Sequence, residues 1–177
     1  HPSAMSRRRS RRRFLQAAVI AALATGPFGI PATAIAQATG SPTLTALLFY
    51  ATDGDGADAP ERIADTTKEA TRYESVLREA AKARRFFLIG KHSAPVQSRF
   101  SIWLKPSPQF PLQLENTGTT ADGGLSLYWI LWQKEQLPTK DRELVKSTTV
   151  LTTKAPLVIV GPKWRSGRLV FVVRKDS

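Results

Sequence analysis

The sequence predicts an α+β fold: a mainly antiparallel β-sheet with one amphipathic helix after the first strand. Three observations predict it. Only the stretch from about Pro60 to Arg84 carries apolar residues at helical spacing. The chain beyond it alternates with a period of two, or runs in short apolar bursts bounded by Gly, Pro, Asn and Thr. A single strand–helix–strand unit is too little for a doubly wound parallel sheet. A β-sandwich with the helix on one side fits the same pattern and stays open as the alternative.

The first strand is Leu44–Ala51, apolar and short, after a linker over 39–46 punctuated by Gly40, Ser41 and Pro42. A single domain is expected over 47–177. Asp53-Gly54-Asp55-Gly56-Ala57-Asp58 suggests a calcium loop, but the ligand positions of a helix–loop–helix site fall on Ala57 and Ala64. An acidic turn leading into the helix is preferred.

In the helix, Ala70, Tyr73, Val76, Leu77, Ala80 and Ala81 share one face, and Arg72, Glu74, Arg78, Glu79 and Lys82 take the solvent side. Thr66-x-x-Glu69 forms a candidate capping box, and Pro60 offers an earlier first turn. Phe86–Ile89 reads as a strand ended by Gly90, which leaves His92 in a loop. Phe100, Ile102 and Leu104 alternate with Ser101, Trp103 and Lys105. Pro106, Pro108 and Pro111 make the next stretch an edge or an irregular crossing.

Leu112 and Leu114 resume the alternation, and Asn116–Gly124 reads as a turn. Leu125–Trp132 is apolar on both faces, as in a central strand covered on both sides or one that pairs with a partner. Trp103 and Trp132 are expected to help cover a sheet face. Leu144–Thr153 is a further strand, and Leu157–Val160 with Leu169–Val173 form a closing hairpin.

The N-terminus carries an address. His1–Ala4 precede Met5 and read as a cloning remnant or as translation from an upstream start. A basic region runs to Arg13, and an apolar stretch follows from Phe14 to Ala24. Gly26, Pro27, Gly29 and Pro31 then break the run before small-x-small cleavage sites at Ala34–Ala38. This is the layout of a secretory signal over 5–38. Its apolar core is about eleven residues, against roughly 20 for a spanning helix, which disfavours a stable membrane anchor. Ser10-Arg11-Arg12-Arg13-Phe14-Leu15-Gln16 resembles the twin-arginine translocation motif, with Gln16 in place of the usual Lys. The resemblance implies that Arg11, Arg12, Phe14 and Leu15 address the chain to the twin-arginine translocase. It also implies that the chain crosses the membrane folded and works in the periplasm or outside the cell.

The signal changes how the charge reads. The chain holds 26 basic and 14 acidic residues, a net +12. Six of the basic residues are arginines among the first thirteen, so removal of 1–38 leaves 20 against 14, or +6. That excess is moderate, and nucleic acid is a disfavoured partner. The chain has no cysteine, which excludes disulfides, thiolate nucleophiles and thiolate metal sites.

His92 is the single histidine beyond the signal, and no nucleophile elbow, Walker A or dinucleotide fingerprint occurs. No cofactor is expected. The strand–helix–meander order, closed by Leu157–Pro162 and Gly167–Val170, resembles small uncharacterised exported bacterial proteins, a family that implies no particular activity.

One loop stands out as a candidate interaction site. Lys163, Trp164, Arg165 and Arg168 put an indole beside three cations, a set suited to anionic or planar ligands. The plainer reading is a hairpin connection with Trp164 folded back over the sheet edge. The function expected is a non-enzymatic periplasmic or envelope-associated domain that binds or scaffolds an envelope protein or polymer. A carboxylate-dependent hydrolase of envelope or extracellular polymers and a polyanion-binding module are the rivals.

Overall fold

The computed structural model describes residues 41–63, 66–135 and 140–176. The export-signal residues Arg11, Arg12, Phe14 and Leu15 and the cleavage region lie outside them. The elements are β1 (Thr43–Thr52), α1 (Thr66–Ala81), β2 (Arg85–Pro95), β3 (Ser101–Leu104), β4 (Leu112–Thr119), β5 (Leu125–Gln133), β6 (Arg142–Leu151), β7 (Leu157–Trp164) and β8 (Gly167–Lys175). The α+β class holds: the strands are paired antiparallel, and one helix follows the first of them.

The strands form two four-stranded sheets, ordered β2-β1-β8-β7 and β3-β4-β5-β6. Leu44, Ala46, Leu48 and Tyr50 of β1 share one core with Leu112 and Leu114 of β4 and Leu127 and Leu131 of β5. The other face of β1, with Leu47, Phe49 and Ala51, packs with Tyr73 and Leu77 of α1. The layers are therefore helix, first sheet, second sheet. The sandwich alternative describes how the two sheets face each other, and the helix lies on the outside of the first.

This layering explains the strand sequences. β1 and β8 sit mid-sheet with both faces covered, so Leu44–Ala51 and Leu169–Val173 are buried at every position. Alternation disappears because both faces need apolar side chains. On α1 the predicted apolar positions, Ala70, Tyr73, Val76, Leu77, Ala80 and Ala81, are all buried or half-buried, and Glu69 is half-buried with them. Lys82, at φ 55°, ends the helix in the left-handed conformation, with its N–H bonded to the Arg78 carbonyl at 3.1 Å.

Several boundaries move. The expected linker over 39–46 is too long, because Thr43–Ala46 already pair with β2 and Leu44–Ala46 with β8. The helix is shorter than 60–84: at Ile63 the backbone N–H bonds instead to the Leu88 carbonyl, at 3.1 Å. The turn expected over Asn116–Gly124 shrinks, since β4 runs to Thr119 after an irregularity between Asn116 and Gly118.

Gly90 does not end β2. The register shifts between Leu48 and Phe49, so that Ile89 is the extra residue, and the strand continues to Pro95 with His92 opposite Ala46. His92 is thus on a strand, not in a loop. Gly90 is small for another reason: a Cβ there would lie 1.9 Å from the Pro106 carbonyl oxygen. The proline-rich crossing between β3 and β4 comes down onto it.

Candidate functional site

The Lys163–Arg168 loop is the turn of the β7–β8 hairpin, and its conspicuous side chains are engaged within the molecule. The Trp164 ring meets Tyr50 edge-on, with centroids 6.2 Å apart at 84°. The Arg165 guanidinium lies 4.5 Å from the Trp164 ring centroid and donates to the Asp58 carbonyl. One Asp58 carboxylate oxygen accepts from the Ser166 hydroxyl at 2.6 Å, the Ser166 N–H at 3.1 Å and the Tyr50 hydroxyl at 2.9 Å.

The Ser166 hydroxyl, then its N–H, and the Tyr50 hydroxyl hold Asp58 below the ordinary carboxylate range, against a smaller opposing effect of desolvation. This loop is a joint that ties 53–63 to the hairpin. Lys163 is exposed and Arg168 half-buried, and they stand opposite each other in the ladder. Of the four residues, Trp164 and Arg165 are the ones engaged by Tyr50 and Asp58.

The acidic segment has the same character. Asp53 accepts the Arg84 N–H at 3.1 Å, and Asp55 accepts the Ala57 N–H at 2.9 Å. Of its three carboxylates Asp55 closes a local turn, while Asp53 and Asp58 hold the backbone of distant segments. Asp55 also borders a groove of about 470 Å³ with Glu74, Arg62, Arg84, Arg85 and Phe87. There Glu74 is paired with Arg78 at 2.6 Å, and Arg62 stacks 3.9 Å from the Phe87 ring centroid. Two of the charges that wall this groove, Glu74 and Arg62, therefore already have partners.

The outer face of the second sheet differs. Across it the register runs Trp103–Gln113–Ile130–Lys146, and the next row is Ser101–Glu115–Tyr128–Thr148. Trp132 lies two residues beyond Ile130 on the same side. No helix or strand among the described residues covers this face, because α1 packs on the first sheet. Trp103 is 37% exposed, and its ring stands 6.4 Å from that of Trp132, tilted by 39°. The Trp132 indole N–H donates to the Gln113 side-chain oxygen at 3.1 Å, which fixes the ring.

Beside Trp103 a cavity of about 320 Å³ is lined by Trp103, Lys105, Pro108, Pro111 and Lys134. The crossing between β3 and β4 builds its far wall. The prolines cannot donate, so the crossing joins β5 through carbonyls: Pro111 accepts the Trp132 N–H at 3.0 Å and Gln109 the Lys134 N–H at 2.8 Å. Phe110, buried in the inter-sheet core, anchors it. The Lys134 ammonium lies 5.4 Å from the Trp103 ring centroid and is paired with Asp141. The lining residues carry aromatic, proline and ammonium groups and no carboxylate, hydroxyl or imidazole. Such a site can stack, exclude water and attract negative charge.

Trp103 and Trp132 are expected to help cover a sheet face, and they stand on one, the outer face of the second sheet. The phase was the available signal: Trp103 alternates against Ile102 and Leu104, and Trp132 against Leu127 and Leu131, whose leucines fill the core.

No protein-family profile, curated protein or solved structure matches this chain. What it does rests on its own geometry.

Proposed function

We propose that the chain is an exported, non-enzymatic domain of the bacterial periplasm or envelope, which holds an envelope polymer on the uncovered face of its second sheet. One observation carries this reading. Trp103 and Trp132 stand side by side on an open face, where large aromatic groups cost solubility unless something docks on them. Indoles offer broad, rigid contact area at little conformational cost, which suits a long ligand that slides through many equivalent positions. The export half of the proposal rests on Arg11, Arg12, Phe14 and Leu15.

Two measurements test the two halves. Sedimentation of the purified chain with insoluble envelope polymers should retain it, and Trp103→Ala should lower the retained fraction at least tenfold while the circular dichroism spectrum stays unchanged. Equal retention of the variant would remove this face as the site. For export, replacing Arg11 and Arg12 together by Lys should leave the precursor in the cytoplasm. Unchanged secretion would exclude the twin-arginine route.

A further inference from the structure

We infer that the cavity beside Trp103 takes a carboxylate-bearing sugar ring, so that the polymer recognised is an acidic glycan. The inference rests on the polymer-binding reading and narrows it. Three features of the cavity converge. Trp103 forms one wall and the rings of Pro108 and Pro111 another, flat apolar surfaces that match the C–H faces of a pyranose. The cavity, about 320 Å³, lies at the lower end of the volumes that hold small ligands, with room for a ring and its substituent. Finally, two lysines, Lys105 and Lys134, are among the lining residues and no acid is, Asp141 reaching the site only as the ion-pair partner of Lys134.

Charge complementarity selects among ligands for this face. A neutral glycan would satisfy the stacking walls but leave both ammonium groups without a ligand partner. An apolar peptide would desolvate them, which is costly for a charged group without compensation. A carboxylate on the sugar ring meets them. Lys134 already holds Asp141, but an ammonium has three donors and can hold a second carboxylate while it keeps the first. The Lys134 ammonium lies over the Trp103 ring, 5.4 Å from its centroid, so the charge stands next to the stacking surface.

The test uses the full purified chain and soluble oligomers of galacturonic acid, with neutral gluco-oligomers of the same length and poly-glutamate as comparisons. Intrinsic tryptophan fluorescence and calorimetry report binding. The galacturonate oligomer should bind at least tenfold tighter than the neutral one, and raising salt from 50 to 200 mM should weaken it severalfold. Lys105→Ala should cost about fivefold for the acidic oligomer and nothing for the neutral one. Trp103→Ala should abolish binding of both. Lys163→Ala, on the distant hairpin, should change neither.

Equal, salt-independent affinity for both sugars overturns the acidic-glycan inference and leaves the polymer-binding reading standing. Poly-glutamate binding as tightly as galacturonate shows that charge alone acts, and likewise overturns the inference. Binding of none of these, together with no retention on envelope polymers, overturns both.

Discussion

The two sheets each present an outer face, and the chain treats them differently. The outer face of the first sheet is apolar in its interior and closed by α1, with Leu77 fully buried against Phe49, Val170 and Val172. That of the second mixes Trp103, Ile130, Tyr128 and Trp132 with Gln113, Glu115 and Lys146, and no element among the described residues lies on it. Leucine and valine serve the first face and indoles with amides and ammonium groups the second. Branched aliphatic side chains suit permanent, close-packed contact, whereas aromatic groups ringed by polar ones suit contact that is made and released. The first face is part of the fold, and the second carries no helix or strand among the described residues.

The sharpest way to break that comparison is one truncation on each face. Leu77→Ala should destabilise by about 2–5 kcal/mol, through lost transfer energy and the cavity left under the helix. Trp103→Ala removes a larger side chain, yet should cost about 1 kcal/mol, because the ring is open to water on one side. Denaturant midpoints at unchanged slope would measure both. If Trp103→Ala proves as damaging as Leu77→Ala, the second face is structural and the distinction between the faces fails.

The same contrast marks what could be read without coordinates. The α1 stripe was legible because the helical period identifies its buried face residue by residue, and Tyr73 and Leu77 are where the pattern puts them. The β4–β5–β6 meander was legible because its turns are local. Strand β5 was half legible: apolar on both faces, it fitted either a doubly covered strand or one with a partner, and periodicity alone cannot choose. The first sheet was not legible. It closes by pairing Leu44 with Lys175 and Ala51 with Arg168, contacts between the two ends of the described chain that no local pattern encodes. The surroundings of the hairpin loop were not legible for a related reason. Trp164 and Arg165 advertise an exposed site, but Tyr50 and Asp58, more than a hundred residues earlier, engage them.

The joint around Asp58 is a smaller way to sharpen the comparison, since it braces the segment that leads from β1 towards α1 through Tyr50, a residue of the inter-sheet core. Its folded-state pKa lies below the unfolded value of about 3.9. A depressed carboxylate contributes stability that is present above the unfolded pKa and is lost as pH falls through the folded one. Stability should therefore decline below about pH 4 in part through this group. Asp58→Asn should be less stable near neutral pH and should show a shallower acid decline, with the two proteins converging in the most acidic samples. A constant gap across the titration would mean that the loss comes from packing and not from the charge. Nothing at Trp103 should respond, so oligosaccharide binding at neutral pH should survive the substitution.

The smallest expected effect concerns how firmly α1 is fastened to the first sheet. Arg174 at the end of β8 meets Glu69 in the first turn of α1 at 3.5 Å and Asp176 at 3.1 Å, with the Arg174 and Glu69 side chains about one-fifth exposed. The Arg174 Nε makes no aligned hydrogen bond, so its contact with Asp176 is mainly one of charge. A half-screened pair of this kind contributes about 0.5 kcal/mol. Glu69 also sits at the positive end of the helix, where a carboxylate adds a similar increment. Glu69→Gln should thus lower the thermal midpoint by only a few degrees in low salt, and the difference should shrink in 1 M salt as both contributions are screened. A larger, salt-independent loss would show that apolar burial under α1 is not sufficient to hold it, and that the covered face depends on its polar rim as the uncovered one does.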